Sequence, residues 1–284
     1  MLAKFDSKLL NVAISVARKS VYSAMEPFRL KRGRKRFPDD LFTDSTSVLV
    51  SVYIPTHNRQ QLLLERSLPS VLAQTYSNLE VIILADQCTD GTVEAVEAIG
   101  DPRVRCIEIA PGTVRYPPVA EYHWFAGPVV AANAALNAFS GDWVARIDDD
   151  DVWTTDHVEV LLKHAVSNNL EFVSSAYVAE RDGNRTVIDC ANVYPRIGGT
   201  QTWLYRHYLR MFRYNIDCWR KRWDRVNDLD LQSRMANAGV RHGFVDQVLA
   251  YVLPRPGETT IGLDAYRQNR KSIESAQRSR PERF

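Results

Sequence analysis

Asp148-Asp149-Asp150-Asp151 places four carboxylates in consecutive positions, directly after the apolar segment Trp143-Val144-Ala145-Arg146-Ile147. Like charges this close repel one another, so a fold needs a reason to keep them together. A hard divalent cation such as Mg²⁺ or Mn²⁺ supplies one, because it takes oxygen ligands, commonly one or two carboxylates together with substrate phosphates. A solvated acidic turn that caps the next helix is the other reading of the same run. Two further acids stand apart from it. Asp86 follows the apolar run Glu80–Ala85, and Asp228 opens a helical pattern over Asp228–Ala238. Separate acidic positions of this kind can divide the work between holding a cation and accepting a proton.

The elements that must position these acids alternate. Val48–Ile54 reads as a buried strand, broken by Pro55-Thr56-His57-Asn58-Arg59. A helical pattern through Leu62, Leu63, Leu68, Val71 and Leu72 follows, then a strand at Glu80–Ala85 and turn chemistry at Asp86–Gly91. A helix at Thr92–Ile99, a strand at Val104–Ile109, a long Pro- and Gly-rich loop over residues 110–128, a helix at Val129–Phe139 and a strand at Trp143–Ile147 complete the first half. Such alternation predicts a parallel sheet covered by helices on both faces. Ligands of these sheets bind at the carboxyl ends of the strands, so Asp86 and the aspartate run are expected to share one crevice. In the second half, strands are expected at Phe172–Val178, Val187–Cys190 and Phe244–Leu253, with Gly239 ending the helix before the last of these.

Composition bounds the rest. The chain has 284 residues and a formal net charge of +2. Ten Lys/Arg against four acids within residues 1–40 make that segment +6, so the remainder is −4. The body therefore gives no basic surface for nucleic acid. Phe5–Phe28 reads as an amphipathic helix, with Leu9, Leu10, Ala13, Ile14, Ala17, Val21 and Met25 at spacings of three and four, ended by Pro27 and Gly33. With the basic stretch Arg29–Phe37 after it, this arm suits either an anionic membrane surface or packing against the domain or a second subunit, as in a homo-oligomer. Cys88, Cys106, Cys190 and Cys218 are scattered without metal-ligand or disulfide-framework spacing, so a reducing, cytoplasmic setting is expected. No apolar run is long enough for a transmembrane helix and no signal peptide is expected.

Three blocks give the chain a resemblance to the family 2 glycosyltransferases of the GT-A fold, across about residues 48–252. The first runs from Val50-Ser51-Val52-Tyr53-Ile54-Pro55-Thr56-His57-Asn58-Arg59 through Ser70–Thr75 and Glu80–Ile83 to Asp86–Thr92. The second is Asn133–Asp151, ending in a DxD-type motif. The third is Asn227-Asp228-Leu229-Asp230-Leu231-Gln232-Ser233-Arg234-Met235, similar to the family's ED-type motif. The resemblance implies an α/β GT-A fold with a mostly parallel central sheet. It implies an arm over 1–46, a nucleotide-sugar-binding half over 47–152, an acceptor-binding half over 153–253 and a C-terminal tail over 254–284.

Further implications concern the site. A nucleotide-sugar donor, UDP-sugar favoured, is held by Pro55, Thr56, Asn58, Arg59, Asp86, Asn133, Asp148 and Asp149. Asp150, with Asp148, holds Mg²⁺ or Mn²⁺, and Asp228 is the general base of an inverting transfer to a hydroxyl of a glycan or lipid-linked acceptor. The setting implied is bacterial surface polysaccharide biosynthesis, cytoplasmic or peripheral on the inner face of the membrane. Three positions depart from the family pattern. Ala85 stands where an acid is common, Ala132 where an Arg often precedes the Asn, and Asn227 where the first acid of the ED pair is common. These departures keep a second reading open, a non-catalytic nucleotide-sugar-binding or scaffold member of the same fold.

Other residues are weighed alike. Asp90 reads as a turn residue, and Asp228 also suits a first-turn capping position. His242 can approach a metal from the C-terminal half. Trp153, Trp203 and Tyr205 read as core more readily than as sugar platforms, and Arg206, Arg210 and Arg213 as a solvated face. An EF-hand is excluded, because loop position six from Asp148 is Trp153 and not Gly.

Overall fold

The computed structural model describes residues 7–38, 47–112, 114 and 116–278. The chain opens with α1 (Ser7–Arg36), then β1 (Val50–Thr56), and α2 (Gln60–Leu62) and α3 (Leu68–Leu72) on either side of a π-helical turn at Leu63–Ser67. β2 (Leu79–Asp86), α4 (Thr92–Glu97), β3 (Val104–Ile109), α5 (Ala120–Ala126), α6 (Val129–Ala135) and β4 (Trp143–Arg146) follow. The second half holds β5 (Asp151–Trp153), α7 (His157–Ser167), β6 (Phe172–Arg181), β7 (Asn184–Ile188), β8 (Leu204–Arg206), α8 (Asn227–Ala238), β9 (His242–Val252), α9 (Gly262–Gln268) and α10 (Arg270–Arg278).

One sheet runs through the molecule in the order β3-β2-β1-β4-β8-β6-β9-β5, with β7 paired to β6. Its first four strands are parallel, with Val50 opposite both Leu79 and Trp143. β8 then enters antiparallel to β4, and the rest of the sheet is mixed. The alternating pattern was readable only in the first half. The three-residue strands β5 and β8 are too short to carry a period, and with their antiparallel pairing the sheet is mixed rather than purely parallel. β1 is buried along its whole length, as a parallel strand covered on both faces must be. Val50, Val52 and Ile54 belong to one core cluster and Tyr53 to the other, which is the period of two of a pleated strand. α3 and α7 cover the first face, while α6, α8 and Leu30 of α1 cover the second.

α1 differs from the sequence expectation in two ways. It does not end at Pro27 or Gly33 but runs on to Arg36. Pro27 has no N–H to give to the carbonyl four residues back, a local loss that tertiary contacts override. Leu30 is buried, and Glu26 is buried in an ion pair with Arg234. Arg34 donates two hydrogen bonds of 2.6 Å to the fully buried Glu171. Those bonds, with Tyr208 Oη and the Arg241 backbone N–H, hold the Glu171 carboxyl below the usual range despite its burial. Gly33 passes close to the body, since a Cβ there would stand 3.1 Å from the Tyr208 ring. Second, the apolar stripe read from the sequence, open to a membrane surface or to packing, does not face the body: Ala13, Ala17, Val21 and Met25 are exposed. The side chains of Leu9, Leu10 and Ile14 lie outside the described residues, as do residues 1–6 and 39–46.

Two other segments gain structure the sequence did not announce. The expected loop over 110–128 contains α5, and the expected tail beyond residue 253 forms α9 and α10, with α9 packed against α5. If the last turns of α1 belong to the core, Leu30→Ala will lower unfolding stability by about 2–4 kcal/mol. Urea denaturation checks this, and an unchanged midpoint would mean that the helix is a detached arm.

Candidate active site

The carboxyl edge of the parallel strands opens into a cavity of about 310 Å³. Pro55 and Thr56 line it from the end of β1, His57 and Arg59 from the segment after it, Asp86 from the end of β2, Arg146 from β4, Asp148–Asp150 from the turn between β4 and β5, Asp151 from β5, and Asn227 and Asp228 from α8. Asp86 and the aspartate run thus share one crevice.

The aspartates are not a solvated turn. Asp149 is 2% exposed and Asp151 4%, and the Asp151 backbone pairs with Val252. Arginines surround the run. Arg146, buried on β4, donates from Nε and Nη2 to Asp148 Oδ1 at 3.2 and 2.9 Å. Arg59 Nη1 donates to Asp149 Oδ1 at 2.8 Å and lies 3.5 Å from Asp150 Oδ2. Arg255 approaches the same Asp150 oxygen at 3.7 Å, and Arg66 donates to the Asp150 carbonyl at 3.3 Å. Burial pushes the Asp149 carboxyl up to about 6 against the pull of Arg59. Burial, then the neighbouring aspartates, lifts the Asp151 carboxyl well above the ordinary aspartate value. Three consecutive carboxylates therefore draw on three separate guanidinium groups, a measure of how much positive charge this edge demands.

Asp86 ends β2, buried, with Oδ2 3.4 Å from the Tyr116 hydroxyl that can donate to it. Tyr116 Oη in turn accepts from the Val130 N–H at 2.9 Å, and His57 Nδ1 sits 2.5 Å from the Asp86 carbonyl. Asp228 lies in the first turn of α8 and accepts from the Leu229 N–H at 2.8 Å. It is at once a first-turn acceptor and a wall of the cavity, and burial raises its carboxyl above the ordinary aspartate value.

Two expected donor contacts lie elsewhere. Asn133 does not line the cavity; its amide bridges the backbone of Tyr214, accepting from N and donating to O, both at 2.9 Å. Asn58 is exposed with φ 51°, and its Oδ1 accepts from the Thr89 N–H at 2.7 Å. Both tie loops together, roles that asparagine fills where backbone groups need an outside partner. His242 is bonded to the Val240 carbonyl and lines no part of the cavity. Trp153, Trp203 and Tyr205 are buried core. Arg206, expected on a solvated face, is buried over the Trp143 ring at 5.3 Å and donates to the Leu170 carbonyl. Asp90 is a turn residue, accepting from the Gln60 and Thr92 N–H groups.

Residues the sequence left unmarked form the roof. Arg255, Glu258 and Tyr266, with Trp124 and His123 from α5, close the cavity from the C-terminal side. Arg255 holds Glu258 at 2.9 Å and lies over the Tyr266 ring at 5.4 Å. Pro254–Pro256 and the polar residues beyond them carried no signal of this role.

Among the described residues no group of three His, Cys, Asp or Glu stands ready to enclose a metal. The donor chemistry nevertheless fits Mg²⁺ or Mn²⁺. Asp148 and Asp150 offer hard oxygens at a cavity edge, and such ions accept one or two carboxylates and complete their shell with water and phosphate oxygens.

The departures have physical accounts. Ala132 is fully buried in α6, where an Arg would have no room. Asn227 is buried, and its Nδ2 donates to the carbonyls of Phe125 and Gly127 at 3.1 and 2.8 Å, bracing the turn between α5 and α6. A carboxylate there would face two carbonyl oxygens. Asn227→Asp is expected to cost about 2–4 kcal/mol of stability at neutral pH, read from thermal or urea unfolding; a neutral result would show that the amide braces nothing.

Comparison with known proteins agrees with this architecture. The family model described as "Glycosyl transferase family 2" matches residues 51–112 and 119–227. A putative colanic acid biosynthesis glycosyl transferase, WcaA of Escherichia coli K12, is 36% identical over 118 residues, 41% of this chain and 37% of that protein. The E. coli UDP-Glc:alpha-D-GlcNAc-diphosphoundecaprenol beta-1,3-glucosyltransferase WfgD is 30% identical over 129 residues, 45% of this chain and 46% of that one. The chain thus spans less than half the length of these relatives. Among solved structures, a Pyrobaculum calidifontis mannosyltransferase in complex with GDP-Man and Mn²⁺ superposes with TM-score 0.58 at 21% identity, covering 97% of this chain and 76% of that one. S. aureus TarS 1-349 in complex with UDP-GlcNAc gives TM-score 0.58 at 16% identity, covering 83% and 68%. With the family model spanning more than half its length and the fold shared, the chain belongs to glycosyl transferase family 2 and has the GT-A fold.

Proposed function

We propose that the protein transfers a sugar from a nucleotide-diphosphate donor to a hydroxyl of a glycan or lipid-linked acceptor, with inversion at the anomeric carbon. The observation that carries this reading is the convergence of Asp86, Asp148, Asp150 and Asp228 on one cavity at the carboxyl ends of the parallel strands. Its setting is bacterial surface polysaccharide synthesis on the cytoplasmic face of the membrane. The E. coli relatives, one named for colanic acid biosynthesis and the other for a diphosphoundecaprenol-linked acceptor, support that placement, and the UDP donors named for a relative and a neighbour favour a UDP-sugar.

Each residue then has a task. Pro55, Thr56 and Asp86 take the nucleoside side, with Asp86 accepting a hydrogen bond from base or ribose. Asp148 and Asp150 would hold Mg²⁺ or Mn²⁺, which supplies Lewis-acid stabilisation of the charge that grows on the leaving diphosphate. Arg59 and Arg255 add fixed positive charge beside Asp150 and need little reorganisation to meet a phosphate. Asp228 accepts the acceptor hydroxyl's proton as the oxygen attacks. The roof of Arg255, Glu258 and Tyr266 limits water at the reacting centre, which strengthens every charge interaction inside.

Asp228→Asn should lower kcat by about 10²–10⁴-fold while leaving donor affinity intact. Because its carboxyl is raised in the fold, the active, deprotonated form is lost as pH falls through a value above the ordinary aspartate range. The acid limb of kcat/KM belongs there and should vanish in the variant; an unshifted limb in a labelled-donor transfer assay assigns the base elsewhere.

Calorimetric titration of UDP, GDP, dTDP and CDP, with Mn²⁺ and with EDTA, tests the donor site. Metal-dependent binding of UDP that is lost in Asp150→Ala is the expected result. A folded protein that binds none of the four would favour the scaffold reading.

A further inference from the structure

We propose that the outward face of α1 is a docking surface for an anionic lipid bilayer, with Val21, Met25 and Phe28 entering the headgroup region and Lys31, Arg32, Lys35 and Arg36 contacting lipid phosphates. At about 100° per residue, Glu26, Leu30, Gly33 and Phe37 fall on the side of α1 that meets the body. Ala17, Val21, Ala24, Met25 and Phe28 fall on the other. Val21 is 60% exposed, Met25 43% and Phe28 66%. Three large apolar side chains held on one rigid, exposed stripe are costly in water unless something covers them.

Charge identifies what covers them. Beyond Phe28 the same side of the helix continues as Lys31, Arg32, Lys35 and Arg36, all exposed. Across Ser7–Arg36 the one acidic residue is Glu26, and it is buried against Arg234. A second copy docked by this face would therefore meet basic residues and find no acid to pair with them. A surface of lipid phosphates offers both the apolar layer and the counter-charge. No described helix is long and apolar enough to cross a membrane, so α1 would lie in the interface.

Attachment to the body fixes the orientation. Tyr22 and Glu26 meet Arg234 of α8, and Arg34 meets the Gly239 carbonyl at the end of α8, so the two helices run in the same direction. Asp228 stands roughly 9 Å back along α8 from Arg234. The part of α1 before Tyr22 extends roughly 20 Å the same way. A bilayer bound along α1 would thus lie beside the end of the domain that carries Asp228, where a lipid-linked acceptor must arrive. This last step rests on the transferase reading; the docking itself does not.

The test is co-sedimentation of the full chain with vesicles of phosphatidylglycerol and phosphatidylcholine, against phosphatidylcholine alone, at low and high salt. Two variants accompany it, Val21→Glu/Met25→Glu/Phe28→Glu and Lys31→Gln/Arg32→Gln/Lys35→Gln/Arg36→Gln. Circular dichroism and UDP binding, read separately, show that the variants keep their fold and donor site. Binding that requires phosphatidylglycerol, weakens with salt, and falls about fivefold per basic residue removed supports the proposal. So does a drop of about tenfold or more in the apolar variant. Equal binding to neutral vesicles, or binding unchanged in both variants, overturns it. So does a dimer, seen by sedimentation equilibrium, that the apolar variant dissolves in a protein that does not bind vesicles.

Discussion

Crowding of negative charge at the carboxyl edge of the parallel strands is the constraint on which the rest of the molecule depends. Four consecutive aspartates can be held there only because arginines surround them, one from the adjoining strand and three delivered from distant parts of the chain. Arg146 comes from β4, Arg59 and Arg66 from the segment after β1, and Arg255 from the segment after β9. The backbone of Asp151 is locked into the sheet beside Val252, so the run cannot relax into solvent. An electrostatic problem of this kind is stable in the protein alone because guanidinium groups answer it. It is also poised for a cation and a diphosphate, which satisfy the same carboxylates and arginines in another combination.

The second half of the chain is built around that edge. β5, β8 and β9 extend the sheet so that the aspartates sit between two halves of one structure. α8 brings Asp228 to the cavity by its first turn, and the segment after β9 returns to roof it. α1 is tied to α8 through a buried ion pair and to the residue before β6 through a bidentate arginine on Glu171. Buried pairs of this sort add specificity of placement more surely than stability, since desolvation offsets much of their attraction. Here the placement is a helix fixed with Glu26, Leu30 and Arg34 toward the body and with Val21, Met25, Phe28 and a run of basic residues outward.

Family departures in the sequence become intelligible once neighbours are known. Ala132 faces a packed core, and Asn227 does what an acid could not, donating two hydrogen bonds to carbonyls beside the cavity. Neither removes a group from the cavity edge that Asp148, Asp150 and Asp228 define.

The first half of the fold was legible in the chain, because continuous apolar strands alternate with helical patterns and end in turn chemistry. The shared position of Asp86 and Asp148–Asp151 followed from that alone, since parallel strands collect their carboxyl ends on one edge. Asp228 was found through its motif and Asp90 through its turn. What the sequence could not carry was anything set by partners far apart in the chain. Short strands such as β5 and β8 have too few residues for a period. Asn133 and Asn58 read as ligand contacts, but backbone groups at Tyr214 and Thr89 claim them. The roof of Arg255, Glu258 and Tyr266 has no periodic signal and exists only because α9 packs on α5. α1 shows the same division most clearly. Its amphipathic spacing was plain in the residues, but which side would be buried was decided by Glu26, Leu30 and Arg34 finding Arg234, the second core and Glu171, contacts no local pattern encodes.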